Sequence, residues 1–200
     1  MHVDVAGFTA WSSGRPPVDV FMLLETIYGS FDQIAQKRGV FKVETIGDCY
    51  VAVTGVPVPR DDHAVVMVKF ARDMLETLQE ELHNLEPALG SDTLDLAMRV
   101  GMHSGPVTAG VLRGEKARFQ LFGDTMNTAA RMESNSSRNR IHVSEATAKL
   151  LIEAGKSSWV KKREDTIVAK GKGVMQTFWV EPPPSRATDA VASKATEITA

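Results

Sequence analysis

The stretch at residues 43–53 constrains the fold of this chain more than any other part of the sequence. It places two short runs rich in Val, Thr, Ile, Tyr and Ala on either side of a Gly47-Asp48 dipeptide. These residue types favour strands, and a Gly-Asp pair between two such runs favours a tight hairpin turn. The stretch therefore predicts two antiparallel strands with Asp48 at the turn and Glu44 inside the first strand.

Glu44 is unusual because it lies among residue types that strands normally bury. A buried carboxylate costs several kcal/mol unless a partner neutralises it or hydrogen-bonds to it. We therefore expect Glu44 to be largely buried and to face a partner, a ligand or a cavity. For these residues alone, a structural glutamate and an ordinary turn aspartate at Asp48 are an equally good interpretation.

The rest of the chain alternates strand and helix patterns. The predicted elements are a strand at 2–6, a helix at 18–38, the hairpin, a helix from 61 to 85, a loop at 86–92, strands at 96–103, 107–112 and 118–122, a helix at 124–134, a strand at 141–143, a helix at 146–154, and strands near 159–160 and 178–180. This order indicates an α+β domain with helices packed on a mostly antiparallel sheet, and it begins with the β-α-β-β-α-β order of a ferredoxin-like unit, followed by a C-terminal extension.

The domain is expected to cover residues 1–181. Three consecutive prolines begin at Pro182, and the remainder to residue 200 is rich in Ala, Thr and Ser, which is typical of a disordered tail or linker. Met1 leads directly into the first predicted strand, so we expect a domain excised from a larger protein.

Composition excludes several classes of function. The formal net charge is −2, so no strong attraction to nucleic acid or to an anionic membrane is expected. No apolar run reaches the length of a membrane span, and the N-terminus has no signal-peptide pattern. Cys49 is the single cysteine, which precludes an internal disulfide and favours a reducing compartment. We expect a cytoplasmic location, and a larger, membrane-bound parent protein is compatible with it.

Asp4 and Asp48 are the candidates for a metal site. Each lies at a predicted strand end or turn, and in a β-α-β-β unit the first strand and the hairpin strands are neighbours in one sheet. The two carboxylates can therefore meet at one edge, where oxygen ligands suit Mg²⁺ or Mn²⁺. The turn at residues 6–9, which opens a helix, can direct backbone N–H groups at an anion beside them.

Five short segments carry further motifs. They are residues 3–9 (VDVAGFT), 42–48 (KVETIGD), 101–105 (GMHSG), 122–134 (FGDTMNTAARMES) and 170–173 (KGKG). Together and in this order they resemble the catalytic domain of class III nucleotide cyclases, over most of residues 3–181. The resemblance implies conversion of a purine nucleoside triphosphate to a cyclic nucleotide and pyrophosphate, with two divalent cations, Mg²⁺ or Mn²⁺, as cofactors.

The resemblance also implies a role for individual residues. The implied set comprises metal-binding Asp4, Asp48 and the carbonyl of Val5, phosphate-binding Ala6, Gly7, Phe8, Thr9 and Lys170, catalytic Asn127 and Arg131, and base-selecting Glu44 and Gln120. Lys172 competes with Lys170 for its role. The family assembles as a head-to-tail dimer, so we expect a homodimer in which one chain contributes the aspartates and the other contributes the remaining side chains.

Glu44 favours guanine as the base. An ionised carboxylate accepts hydrogen bonds but cannot donate them, which matches N1–H and the 2-amino group of guanine and repels N1 of adenine. Guanylate cyclases of the family resemble this chain at Glu44, whereas adenylate cyclases usually have Lys there. Gln120 fits neither pattern, because Cys or Asp is usual at that position and a Gln amide can serve either base. Arg118 lies two residues earlier and could pair with Glu44 or reach guanine O6.

We therefore expect conversion of GTP to cyclic GMP, with adenylate cyclase activity on ATP as the alternative. A catalytically silent nucleotide-binding module is a rival from a different class, which the complete set of site residues disfavours. A general β-α-β-β nucleotidyl transferase or diguanylate synthase is a further rival, but the sequence lacks the Gly-Gly-Asp/Glu-Glu-Phe signature.

Overall fold

The computed structural model of the chain describes residues 1–112, 118–169 and 172–181, and in them strands and helices follow the predicted order. The strands are β1 (His2–Ala6), β2 (Phe41–Ile46), β3 (Cys49–Val53), β4 (Ala97–Met102), β5 (Thr108–Leu112), β6 (Arg118–Phe122), β7 (Arg140–Ser144), β8 (Val160–Lys162), β9 (Ile167–Ala169), β10 (Gly173–Met175) and β11 (Thr177–Val180). The helices are α1 (Phe8–Ser12), α2 (Pro17–Arg38), α3 (His63–Leu89), α4 (Asp124–Ser134) and α5 (Glu145–Glu153), with 3₁₀ turns at Ser91–Asp95 and Ser157–Trp159.

Within the described ranges, seven strands form the main sheet in the order β2-β3-β1-β4-β7-β11-β8. Neighbouring strands are antiparallel except β4 and β7, which are parallel. The first four strands, with α2 and α3 as their crossovers, form the predicted ferredoxin-like unit. The α+β prediction is therefore confirmed, and the C-terminal half extends the same sheet.

One face of the sheet is covered by α2 and α3. Apolar residues recur at helical spacing along both helices, so each presents one continuous apolar stripe to the sheet. Tyr50 of β3 is fully buried beneath them, and its ring meets that of Phe31 edge-on at a centroid distance of 5.8 Å. Burying a large side chain of this kind stabilises a fold by about 1.5–3 kcal/mol.

The opposite face of the sheet carries α4. Successive side chains of a strand alternate between faces, so Arg99 and Gly101 of β4 face away from α2 and α3. A Cβ atom built on Gly101 would lie 1.9 Å from the backbone nitrogen of Glu133 and 2.6 Å from the carbonyl oxygen of Ala129. The backbone of α4 is therefore in direct contact with β4, which only glycine permits at this position.

Two local predictions differ from the structure. Residues 86–89 are the last turn of α3 rather than a loop, because Leu85 and Leu89 continue the buried stripe and outweigh Pro87. The strands β9 and β10, three residues each, lie where no strand is predicted.

The tail predicted at residues 182–200 lies outside the described part of the chain. None of the described helices is long and apolar enough to cross a membrane.

Candidate active site

The hairpin between β2 and β3 brings Asp48 next to Asp4. Gly47 begins the turn with a φ of 60°, a left-handed conformation that glycine adopts without strain. In the β1–β3 register Asp4 lies opposite Cys49, the residue that directly follows Asp48. The structure thus brings the two predicted aspartates together at one edge of the sheet.

The Asp48 carboxyl is perturbed by its surroundings. Burial raises the pKa of Asp48, and the neighbouring Asp4 carboxylate raises it further. Two like charges held this close are stabilised by a cation between them. The donor set therefore fits a hard divalent cation such as Mg²⁺ or Mn²⁺. Among the described residues no cluster of three or more His, Cys, Asp or Glu side chains is suited to a metal, so further ligands would be oxygens of the backbone, such as the Val5 carbonyl, or of a phosphate.

Arg99 connects Asp4 to a third carboxylate. It lies opposite Asp4 in the β1–β4 register, and its Nη2 is 2.5 Å from Asp4 Oδ2. Its Nε is 2.9 Å from Oε1 of Glu133 in α4. Burial and the charge of Asp4 raise the pKa of Glu133, while Arg99 opposes that rise. Sequence reasoning missed Arg99 and Glu133; the predicted strand order places β4 beside β1, but only the register shows which residue meets Asp4.

Tyr28 of α2 holds the hairpin turn from the other side. Its hydroxyl donates a hydrogen bond to the carbonyl oxygen of Gly47 at 2.9 Å. Burial and then the charge of Asp48 raise the pKa of Tyr28, so the phenol stays protonated and able to donate. This contact, which joins residues far apart in the sequence, was also missed.

The predicted phosphate loop follows β1 directly. Ala6 ends the strand, Gly7 adopts a left-handed φ of 95°, and Phe8 begins α1. The first amides of a helix, here those of Phe8 and Thr9, have no partner within the helix and are available to an anion. Gly7 has no Cβ to hinder the left-handed turn, which explains why the sequence has glycine at this point.

The predicted phosphate-binding lysine, Lys170, lies outside the described residues. Lys172, its competitor, forms an ion pair with Asp124 at the beginning of α4. Lys172 is therefore already paired with a carboxylate in this structure.

Asn127 and Arg131 lie four residues apart on α4 and share one side of that helix. The residues that face the sheet are Thr128, Ala129 and Met132, whereas Asn127 is exposed. Nη1 of Arg131 is buried and has no hydrogen-bond partner in the described part of the chain. Buried donors in native structures normally have a partner, so this nitrogen is suited to an anionic ligand.

Within the described ranges no hydrogen bond or ion pair joins Asn127 or Arg131 to Asp4 or Asp48, and Asp4 is paired with Arg99 instead. One chain therefore contains both halves of the predicted machinery without joining them.

The expected burial of Glu44 is wrong, because Glu44 is exposed. The strand β2 is an edge strand with no buried residue, and a β-bulge sets the direction of Glu44: Lys42 pairs with Ala52 and Glu44 pairs with Val51, so Val43 has no partner. Lys42 faces α2, where its Nζ is 2.6 Å from Asp32 Oδ2. Without the bulge Glu44 would point to the same helices as Lys42. The extra residue turns Glu44 to the opposite face of the sheet.

The strand β6 lies against this face, the one opposite α2 and α3, which we call the open face. The ring of Phe119 is 5.0 Å from that of Phe41, which belongs to β2. Gln120 follows Phe119 and is half-buried. The elements that carry Glu44 and Gln120 are thus in contact. Arg118 begins β6, and its side chain lies outside the described part of the structure.

Comparison with known proteins identifies a family for the chain. Residues 1–182 match the family model described as the adenylate and guanylate cyclase catalytic domain. The chain is 38% identical over 177 residues to the receptor-type guanylate cyclase gcy-28 of Caenorhabditis elegans, a match that covers 88% of this chain and 13% of that relative. The chain thus spans only a small part of the length of this relative.

Two solved structures are similar along nearly their whole length. The catalytic core of a rhodopsin-guanylyl cyclase with converted specificity, in complex with ATPαS, is 39% identical with a TM-score of 0.80, covering 91% of this chain and 93% of that one. The guanylate cyclase domain of RhGC from Catenaria anguillulae, in complex with GTP, is 38% identical with a TM-score of 0.77, covering 92% and 94%.

Proposed function

This chain belongs to the family of adenylate and guanylate cyclase catalytic domains, and we propose that it converts GTP to cyclic GMP and pyrophosphate. The observation that carries the proposal is the convergence of Asp4 and Asp48 beside a helix-opening turn. In the reaction a bond forms between the ribose 3′-oxygen and the α-phosphorus, while the bond from the α-phosphorus to pyrophosphate breaks. No protein nucleophile is required.

Asp4, Asp48 and the carbonyl of Val5 would hold two divalent cations. When bound, such ions lower the pKa of the ribose 3′-hydroxyl and neutralise phosphate oxygens. The backbone amides of residues 6–9 and the side chain of Lys170 would bind the outer phosphates. The carboxylates of Asp4 and Asp48 and the amides of residues 6–9 lie at adjoining strand ends, so the metal site and the phosphate site would be next to each other.

Arg131 would stabilise the negative charge that develops on the α-phosphate. Its buried, unpartnered Nη1 supports this role, because a phosphate oxygen would supply the missing acceptor. Asn127 would orient the ribose, one turn earlier on α4.

Glu44 supports GTP as the substrate. On the open face it can accept hydrogen bonds from N1–H and the 2-amino group of guanine. Gln120 can donate to guanine O6, and Arg118 lies on the same strand. ATP is the second candidate because a reoriented Gln120 amide could accept from the adenine amino group, and the similar cyclase of converted specificity was solved with ATPαS.

The two halves of the site would meet in a head-to-tail homodimer. One chain would supply Asp4 and Asp48, and its partner would supply the groups carried by β2, β6 and α4. Exposed apolar side chains on these same elements support an interface, among them Ile46 of β2 at 60% exposure and Phe122 of β6 at 46%. We place this activity in the cytoplasm, where GTP is present.

A turnover assay tests the proposal. The purified chain is incubated with GTP or ATP and Mn²⁺, and both cyclic nucleotide and pyrophosphate are measured, with Asp48→Asn as the inactive control. Cyclic GMP formed in equal amount to pyrophosphate, and lost in Asp48→Asn, supports it. Absence of turnover with both nucleotides would leave the silent module, and a preference for ATP would reverse the base assignment.

A further inference from the structure

Resting on the proposed function, we propose that Arg99 is a positioning residue that couples occupation of the metal site to α4. It does so by moving its ion pair from Asp4 to Glu133. Arg99 thereby links the Asp4–Asp48 half of one active site to α4, the helix that supplies Arg131 to the second active site of the dimer.

The geometry provides both partners at once. Nη2 of the guanidinium is 2.5 Å from Oδ2 of Asp4 on β1. Its Nε is 2.9 Å from Oε1 of Glu133 on α4. A planar guanidinium with several fixed donors can bridge two carboxylates in this way, whereas a lysine ammonium is a single point charge. Arg99 is therefore shared between an element of the metal site and an element that carries Arg131.

The charges do not balance without a further cation. In the described ranges Arg99 is paired with both Asp4 and Glu133, and Asp48 lies beside Asp4, so three carboxylates share one guanidinium. A divalent cation bound by Asp4 and Asp48 competes with Arg99 for Asp4, because two cations then approach the same carboxylate. Glu133 remains the carboxylate that Arg99 can keep.

The shift in ion pairing acts on α4 as a unit. Glu133 lies in the last turn of α4, two residues after Arg131, and its backbone nitrogen is in close contact with Gly101 of β4. Packed elements of this kind move between discrete arrangements rather than deform continuously. A stronger pull on Glu133 therefore holds the last turn of α4 more firmly against β4 when metal is bound.

Direct metal binding tests the inference without relying on activity. Free Mn²⁺ is measured by electron paramagnetic resonance during titration of the chain and its variants. Glu133→Gln leaves Arg99 undivided on Asp4 and should weaken Mn²⁺ binding on the order of tenfold. Arg99→Gln removes the competing cation, and Mn²⁺ affinity should be unchanged or higher. Glu145→Gln at an exposed position and Arg60→Gln at a half-buried one remove charges elsewhere and serve as matched controls.

Amide hydrogen exchange tests the link to α4. Mn²⁺ should slow exchange in the last turn of α4 by at least about threefold in the unmodified chain. Arg99→Lys keeps the charge and the fold but cannot bridge both carboxylates, so the metal-dependent protection should vanish while Mn²⁺ still binds.

The outcomes separate this inference from the proposed function. Weaker Mn²⁺ binding in both Glu133→Gln and Arg99→Gln would indicate a merely structural network and overturn the inference. Metal-dependent protection of α4 that persists in Arg99→Lys would overturn it as well. If Asp48→Asn leaves Mn²⁺ binding unchanged, the metal site itself is misplaced and the proposed function fails first.

Discussion

The hydroxyl of Tyr28 donates a hydrogen bond of 2.9 Å to the carbonyl oxygen of Gly47, so α2 holds the turn that carries Asp48. Asp48 has to face Asp4 although it lies in a hairpin turn, where backbone freedom is greatest. The contact restricts this freedom from the helical side of the sheet. A hydrogen bond of this kind contributes about 0.5–1.5 kcal/mol.

We expect Tyr28→Phe to lower the free energy of unfolding by about 1 kcal/mol and to weaken Mn²⁺ binding several-fold, because the turn loses its anchor. Tyr50→Phe is the matched control, since it removes a hydroxyl that donates at 2.8 Å to Asp32 rather than to the turn. Chemical denaturation and Mn²⁺ titration measure the two effects. Equal Mn²⁺ affinities in the two variants would show that the turn needs no anchor.

Glu44→Lys should weaken the use of GTP by at least tenfold in kcat/KM, about 1.4 kcal/mol or more, because a cation would face the guanine N1–H and 2-amino donors. Glu25→Lys makes the same change of charge at an exposed position on α2 and should leave kcat/KM for GTP unchanged. Rates with GTP and ATP measure the preference. An unaltered ratio would mean that Glu44 does not select the base.

Local patterns carried most of what could be predicted. The Gly47-Asp48 turn, the helical stripes of α2 and α3 and the order of elements depend on neighbours in the sequence, and these predictions are confirmed. The meeting of Asp4 with Asp48 followed from strand order alone. Arg99 and Tyr28 depend on register and on helix position over the sheet, which arise from contacts between distant residues.

The β-bulge at Val43 shows why the exposure of Glu44 could not be predicted. Any of several residues in a run of strand formers can be the extra one, and the sequence differs little between these registers. Shifting the register by one residue moves Glu44 from the face of α2 to the open face. The residue type was therefore informative about chemistry, whereas the direction of the side chain required the structure.

Gly101→Ala should destabilise the chain by about 3 kcal/mol, because the new methyl group would collide with the backbone of α4 at Glu133 and Ala129. The measurement is chemical denaturation. Gly29→Ala is the matched control: Gly29 lies in α2 with no heavy atom within 4 Å of an added Cβ, and the substitution should stabilise by about 0.5–1 kcal/mol. A Gly101→Ala chain of unchanged stability would mean that α4 does not pack against β4 this closely.

His142 is predicted to make stability depend on pH. It is fully buried; its Nδ1 is 2.7 Å from the carbonyl oxygen of Met132 in α4 and its Nε2 is 2.7 Å from Thr177 Oγ1. Burial lowers the pKa of His142 to about 4, the Met132 carbonyl opposes this, and the charge of Arg163 adds to it. The neutral ring therefore donates to Met132 and accepts from Thr177.

The unfolded chain takes up the His142 proton near pH 6.5, whereas the folded chain resists it down to about pH 4. The stability contributed by the neutral ring is therefore fully present above pH 6.5 and is lost as the pH falls through this window, on the order of 2 kcal/mol by pH 5. Denaturation at pH 7.5 and pH 5 should show this loss shrinking in His142→Gln but not in His83→Gln, an exposed control. Equal losses in both variants would assign the pH dependence to other groups.

Mixing two inactive variants tests whether active sites are shared between chains. Asp48→Ala removes one half of the proposed site and Arg131→Ala the other, so each homodimer should be inactive. A mixed dimer in head-to-tail arrangement has one site with both substitutions and one intact site. Random exchange of subunits should therefore restore about a quarter of the wild-type rate, since about half of the dimers are mixed and each has one working site.

Cyclic GMP formation is followed after the chains are mixed, with a mixture of Asp48→Ala and Asp4→Ala chains as the control that cannot be rescued. If Asp48→Ala and Arg131→Ala chains stay inactive although co-purification of differently tagged chains shows that they exchange, both groups act within one chain, and the site must close by a movement of α4 toward the aspartates.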